Sequence, residues 1–284
     1  MMEAIHERIF IGSSNNRLVA DVGGVHDAPA VVLLHGGGQT RHSWGLAQQE
    51  LIQAGYRVVS VDSRGHGESD WIADGDYSLP RQVDDVKSIV RELGKPTALV
   101  GASQGGVISL LACGADPQLA QALVLVDVAP RLESEGVEHI HRFMTSHLHG
   151  FASIEEACDV VAGYTPARPR PRNPDGLRKN LRLKPDGRWY WHWDPSMFDG
   201  ELGPKVAQMS QQMEQAARRI RIPTLLVRGQ HSDVISDAGA SELQAMMPHL
   251  ELADIAGAGH MIAGDRNDVF NRAIAGFLQR YLPQ

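Results

Sequence analysis

Gly101, Ala102, Ser103, Gln104 and Gly105 form a G-x-S-x-G pentapeptide where a short apolar run, residues 97–100, gives way to an apolar helical stretch beginning near residue 106. Small residues two places to either side of a serine let the chain turn sharply from strand to helix. Such a turn holds the serine in a strained backbone conformation, its hydroxyl thrust out past the strand end. A serine hydroxyl is a weak nucleophile and needs a base close by. The rest of the chain must therefore bring partners to the same end of the same sheet, which restricts the fold to one whose strands finish side by side.

Those partners are present in order. Residues 30–34, all apolar, read as a buried strand ending in His35-Gly36-Gly37-Gly38, a loop whose main-chain N–H groups can face a developing oxyanion. Residues 224–228 read as a strand followed by Gly229-Gln230-His231-Ser232-Asp233, and residues 250–255 as a last strand followed by Gly257-Ala258-Gly259-His260. Ser103, Asp233 and His260 thus each lie just past the carboxyl end of a strand. Asp127, directly after the strand at 122–126, competes with Asp233 for the acid. His231 precedes that acid on its own loop, while His35 and His66 read as hydrogen-bonding residues of their turns, so His260 is the expected base.

With these residues in view, the chain resembles the α/β-hydrolase superfamily over nearly its whole length. The order Ser103, Asp233, His260 is the order of that family's triad. The resemblance also bears on the acid: some relatives place it after the sixth strand, where Asp127 stands, and the place of Asp233 after the seventh favours Asp233. The segment Asp62-Ser63-Arg64-Gly65-His66-Gly67-Glu68-Ser69 is similar to the D-x-R-G-x-G-x-S loop of many relatives. The resemblance implies an α/β fold, a mostly parallel, doubly wound eight-stranded sheet with an inserted helical cap. It implies main-chain oxyanion donors at Gly37 and Gln104, and no cofactor or metal. Removing one such donor from a serine hydrolase costs about 3–4 kcal/mol of transition-state stabilisation. The expected layout is a core at 1–130 and 219–284 and a cap at 131–218.

Periodicity agrees with this layout. Val83, Val86, Ile89, Val90 and Leu93 recur at three and four with Asp84, Asp85, Lys87 and Arg91 between them, a helix laid on a sheet. Val269, Phe270, Ala273, Ile274, Phe277, Leu278 and Tyr281 draw a C-terminal helix of the same kind. Between 127 and 221 the strand signal disappears and a proline-arginine stretch, 166–174, interrupts the helical pattern. The strand signal resumes at Pro223, so the segment is an excursion from one sheet, expected to be mostly helical.

Composition excludes other classes. A content of 43% hydrophobic and 21% charged residues over 284 positions is enough for one large core and unlike that of disordered or fibrous chains. A net charge of −7 gives no basic field for nucleic acid. Two cysteines, Cys113 and Cys158, make no disulfide framework. No run approaches the roughly 18 apolar residues of a membrane span, and the first residues carry no signal-peptide core. The expectation is a cytoplasmic protein acting on a small molecule, without nucleic acid or membrane partners.

In the excursion, His139, His141, His147 and His149 have ligand-like spacing but sit on a polar helical face with Glu133, Glu135 and Glu138, which favours packing over metal binding. Trp189-Tyr190-Trp191-His192-Trp193 suits either a substrate pocket or burial of the cap on the core. Between Arg168 and Arg188 eight Lys or Arg stand against Asp175 and Asp186, an excess that reads as a solvated face, with attraction of an anionic substrate as the alternative. The expected function is a serine hydrolase cleaving a small carboxylic ester, lactone or thioester through an acyl-enzyme. The alternatives are a C–C bond hydrolase of a vinylogous diketone, which in the family uses the same triad, and a slow-turnover ligand-binding homologue. A serine at position 103 argues against dehalogenase and epoxide hydrolase chemistry, which need a carboxylate nucleophile.

Overall fold

A computed structural model describes residues 2–164, 174–257 and 267–284. Short apolar runs bounded by turns become strands, and the amphipathic stretches between them become helices. In chain order the elements are β1 (Met2–Ile11), β2 (Arg17–Val25), β3 (Ala30–Leu34), α1 (Gly45–Gln53), β4 (Arg57–Val61), α2 (Leu79–Leu93), β5 (Thr97–Ala102), α3 (Gln104–Ala115) and β6 (Ala122–Val126). The excursion follows, with α4 (Ser134–Met144), α5 (Ile154–Tyr164), α6 (Asp175–Arg178), β7 (Leu181–Leu183), β8 (Trp189–Trp191) and α7 (Leu202–Ala217). The chain then returns through β9 (Thr224–Gly229), α8 (Asp237–Met246), β10 (Leu250–Ile255) and α9 (Asn267–Tyr281).

Eight strands form one sheet in the order β1-β2-β4-β3-β5-β6-β9-β10. The β1–β2 and β2–β4 pairs are antiparallel; every pair from β4 to β10 is parallel. Side chains alternate across the strands, so each strand feeds two cores. Val32, Leu34, Leu99, Leu123 and Leu125 join α2, α3, α7 and α8 on one face. Val31, Leu33, Ala98, Val100 and Val124 join α1 and α9 on the other. Full burial of one such side chain is worth about 1.5–3 kcal/mol, so the central strands are secured from both sides and their carboxyl ends form a fixed rim. Helix α2 shows how the local sequence sets an element: Pro80 lies in its first turn, and Gly94 ends it at φ 60° with its N–H donating to Val90 O at 3.2 Å.

Buried ion pairs hold the loops at this rim. The Arg41 guanidinium meets Asp62 at 2.5 Å and Asp21 at 2.9 Å, and Asp62 also accepts from the main-chain N–H of Arg41 and Glu68. Arg64, only 1% exposed, makes a two-pronged contact with Asp85 at 2.6 and 2.8 Å. The segment 62–69 is thereby anchored to the sheet and to α2.

The excursion, expected to be mostly helical, also contains a short hairpin, and its last helix joins the core layer. β7 and β8 pair antiparallel through a tight turn in which Gly187 (φ 79°) donates to Lys184 O at 3.0 Å. Alternation in Trp189, Tyr190 and Trp191 is thus a strand pattern, hidden in the sequence by the brevity of the hairpin. In helix α7, Met213, Ala216 and Ala217 belong to the core layer, and Gly114 of α3 admits Ala216 so closely that a Cβ there would strike it. The end of the segment expected to form the cap therefore packs as a core helix. The remainder has its own small core of Met144, Phe151, Ile154, Ala157, Cys158, Leu181, Trp191 and Trp193. Among the described residues no helix is long and apolar enough to cross a membrane.

Candidate active site

Ser103 lies at the junction of β5 and α3 with φ 47° and ψ −115°, a conformation that L-residues with a Cβ adopt only under constraint. The flanking glycines allow the turn: a Cβ at Gly101 would strike the Gly105 carbonyl, and one at Gly105 the Leu34 carbonyl. The helix starts at Gln104, earlier than the apolar pattern suggested, so Ser103 sits directly at its N-terminus. There the Gln104 N–H has no intrahelical acceptor. Ser103 N–H donates to Val126 O at 2.9 Å, which sets Ser103 beside the end of β6.

The loop after β3 arches over this turn; a Cβ on Gly36 would come within 3.4 Å of Ser103 Cβ, and one on Gly37 within 3.0 Å of Gln104 Oε1. Its main-chain groups are engaged around one residue. Gly36 N–H donates to Gln39 Oε1 (3.0 Å), and Gly36 O accepts from Gln39 N–H (3.1 Å) and from His35 Nδ1 (2.8 Å). Gly38 N–H donates to His66 Nε2 (3.2 Å), and Gly38 O accepts from His192 Nε2 (3.1 Å). The Gly37 N–H between them has no acceptor among the described residues.

Three buried imidazoles support the loop. His35 and His66 rings lie 5.0 Å apart, His66 and His192 rings 5.8 Å. Each accepts a main-chain N–H at one nitrogen and donates to a main-chain carbonyl from the other. His35 Nε2 accepts from Ser63 N–H at 3.0 Å, His66 Nδ1 donates to Arg64 O at 3.2 Å, and His192 Nδ1 accepts from Gly67 N–H at 2.7 Å. That arrangement suits only the neutral ring. Burial drives His35 below the usual imidazole range; burial and the neighbouring His35 and His192 drive His66 well below it; burial pushes His192 down to about 3. His192 escaped the sequence reading. Its tract of aromatics was conspicuous, but nothing local marks which member crosses to the core.

The two acid candidates occupy unlike surroundings. Asp127, at φ 51°, is 1% exposed; its carboxylate accepts from Ser232 Oγ at 2.6 Å and Gly229 N–H at 3.2 Å. Val126 pairs with Ala102 across the β5–β6 ladder, so Asp127 and Ser103 follow it at the same level. Asp233 is exposed on the loop after β9, and its carbonyl packs against Gly136 of α4. His231 is exposed as well. The expected base, His260, lies outside the described residues, as do Arg168, Arg170 and Arg172.

In the cap, His139 stacks on Tyr164 at 4.7 Å and His147 on Phe151 at 5.1 Å, so both serve packing. Trp191 and Trp193 stack at 4.7 Å, and Trp193 and Met144 close against Gly38 of the loop. Arg182 donates to Gly67 O and lies over the Trp71 ring. Trp193, Met144 and Arg182 thus pack the excursion against the glycine loop and the 62–77 segment.

Residues 31–273 match the family model described as the alpha/beta hydrolase family. An esterase from Mycobacterium tuberculosis is 29% identical over 258 residues, covering 88% of this chain and 83% of the relative. A 2-(acetamidomethylene)succinate hydrolase from Mesorhizobium japonicum is 26% identical, covering 78% of each. A crystal structure of E-2-(acetamidomethylene)succinate hydrolase superposes with a TM-score of 0.82 over 97% of this chain and 100% of that one, at 22% identity.

Proposed function

The chain is a member of the alpha/beta hydrolase family, and from that premise we propose that it is a serine hydrolase cleaving a small carboxylic ester, lactone or thioester through an acyl-enzyme on Ser103. The observation that carries this is the backbone of Ser103, held at φ 47° and ψ −115° at the head of α3 under the glycine loop. A strained serine presented to two main-chain donors is an arrangement for acyl transfer.

Ser103 Oγ attacks the substrate carbonyl while His260 takes its proton. The oxyanion accepts from Gly37 N–H and Gln104 N–H. Collapse expels the leaving group, which receives the proton from His260, and an acyl-enzyme forms. Water, deprotonated by His260, attacks the ester so formed; the second oxyanion uses the same donors, and Ser103 leaves with the proton. No charge need be supplied from outside the chain.

For the acid we assign Asp127 in place of Asp233. A carboxylate that orients an imidazole and stabilises its cation works best when it is fixed by hydrogen bonds and shielded from water. Asp127 has both properties and stands level with Ser103; Asp233 is exposed. The cap is placed within residues 131–218, where Met144 and Trp193 pack against Gly38 of the glycine loop; a cytoplasmic location is part of the same reading.

The test is a series of p-nitrophenyl acyl esters of increasing chain length, followed for a burst of nitrophenol, with fluorophosphonate labelling mapped to its residue. Burst and labelling at Ser103 are expected. Labelling without ester turnover would shift the reading to C–C hydrolysis or to ligand binding; labelling at another residue would overturn it.

A further inference from the structure

We propose that His192 is a positioning residue for the oxyanion loop: from the cap, it bridges Gly67 N–H and Gly38 C=O, and so makes the geometry of the Gly37 donor depend on docking of the β7–β8 hairpin. This rests on the reading of Gly37 as an oxyanion donor.

The argument begins with the loop. Gly38 is left-handed at φ 71°, and the two peptides that flank it are each held by one imidazole, the N–H by His66 and the carbonyl by His192. A glycine-rich loop has many accessible conformations, and ordering it costs entropy unless its polar groups are fixed. His66 comes from the core, so half of the restraint is present without the cap. The other half arrives with His192, which is only 1% exposed.

The segment that carries His192 is itself fastened to the core. Trp71 Nε1 donates to His192 O at 3.1 Å, Asp194 N–H donates to Gly65 O at 2.9 Å, and Tyr77 Oη donates to Asp194 Oδ2 at 2.6 Å. Arg182, one strand away, donates to Gly67 O, and His192 N–H donates to Asn180 O at 3.1 Å. The hairpin is therefore clamped to residues 65–77, and His192 passes that placement on to the loop above Ser103. Both ring nitrogens are occupied by main-chain partners, so the imidazole has no proton to exchange with substrate. Its part is geometric.

Two substitutions separate the bonds. In His192→Asn the Oδ1 atom replaces Nδ1 and keeps the Gly67 contact while the Gly38 donor is lost. In His192→Gln the Nε2 atom restores that donor. With p-nitrophenyl butyrate, the Asn variant is expected to lose roughly 10- to 100-fold in kcat, on the scale of a weakened oxyanion donor, with KM within about twofold. Its affinity for an alkyl trifluoromethyl ketone should fall in step with kcat/KM, and the Gln variant should recover most of both. Trp71→Phe, which loosens the same segment from outside the loop, should show a smaller loss of the same kind and serves if the Asn variant does not fold. A rise in KM with unchanged kcat, or equal losses in Asn and Gln, would overturn the proposal. Wild-type protein that is labelled at Ser103 and turns over while the variants match it would sink this inference alone; wild type with neither labelling nor turnover would remove the site reading and this inference with it.

Discussion

The hydroxyl of Ser232 donates to Asp127 Oδ2 at 2.6 Å, and so joins the loop after β9 to the residue after β6. Ser232 Oγ in turn accepts from the N–H groups of Val234 and Ile235 at 3.2 Å. One serine thus orients the Asp127 carboxylate and shapes the turn that leaves Asp233 facing outward. The turn after β9 therefore helps to fix the carboxylate that follows β6.

Asp127→Asn is expected to lower kcat by about 10⁴, the size of the effect when a triad aspartate loses its charge. Asp233→Asn should change it only a few-fold. Steady-state rates on one p-nitrophenyl ester, with far-UV circular dichroism to check folding, decide between them. A large loss in Asp233→Asn with little in Asp127→Asn would return the acid to the loop after β9.

Ser103→Gly should abolish fluorophosphonate labelling and raise stability by about 1 kcal/mol, since a non-glycine residue in this backbone region costs on the order of 1–3 kcal/mol. Urea unfolding measures the gain. Ser103→Ala removes the hydroxyl but keeps the strained Cβ, so its midpoint should stay near that of wild type.

The three buried imidazoles make folding sensitive to mild acid. Their folded pKa values lie below the unfolded 6.5, with His192 at about 3, so the stability tied to their neutral forms is complete above pH 6.5 and is lost as pH falls through the interval from 6.5 toward 3. Each such histidine contributes a slope of up to about 1.4 kcal/mol per pH unit. Urea midpoints measured between about pH 7.5 and about pH 5 should fall, and His192→Gln should make that fall shallower.

Arg64→Ala is expected to destabilise by about 3–5 kcal/mol, because it leaves the Asp85 carboxylate, 4% exposed, without its guanidinium. Replacing both partners with apolar residues of similar size should cost much less. A double-mutant cycle in urea reads the difference; near-additive losses would show that the pair does not act as a unit.

Much of this arrangement was legible in the chain because it is local. The strand–Gly-x-Ser-x-Gly–helix junction is marked by five consecutive residues, and the period of α2 is set by the same few residues that form it. The strands at 30–34, 97–100, 122–126 and 224–228 show as apolar runs because both their faces are buried, whereas the edge strand at 250–255 alternates, with Leu250 and Ile255 buried and Leu252 and Asp254 exposed. The hairpin of β7 and β8 was not legible: three-residue strands are too short for a period, and they persist by packing on Phe151 and Trp193.

By itself, then, the sequence determined the parallel core, the turn at Ser103 and the glycine loop, since backbone propensity and hydrophobic period act over a few residues. Tertiary structure alone decided which carboxylate is buried, that α7 lies in the core, and that His192 reaches from the excursion after β6 to Gly38. Those outcomes depend on which surfaces exclude water once distant segments meet: Asp127 and Ser232 are 105 residues apart, His192 and Gly38 154. No local pattern encodes such a meeting, because the desolvation and hydrogen-bond geometry that select it exist only in the packed molecule.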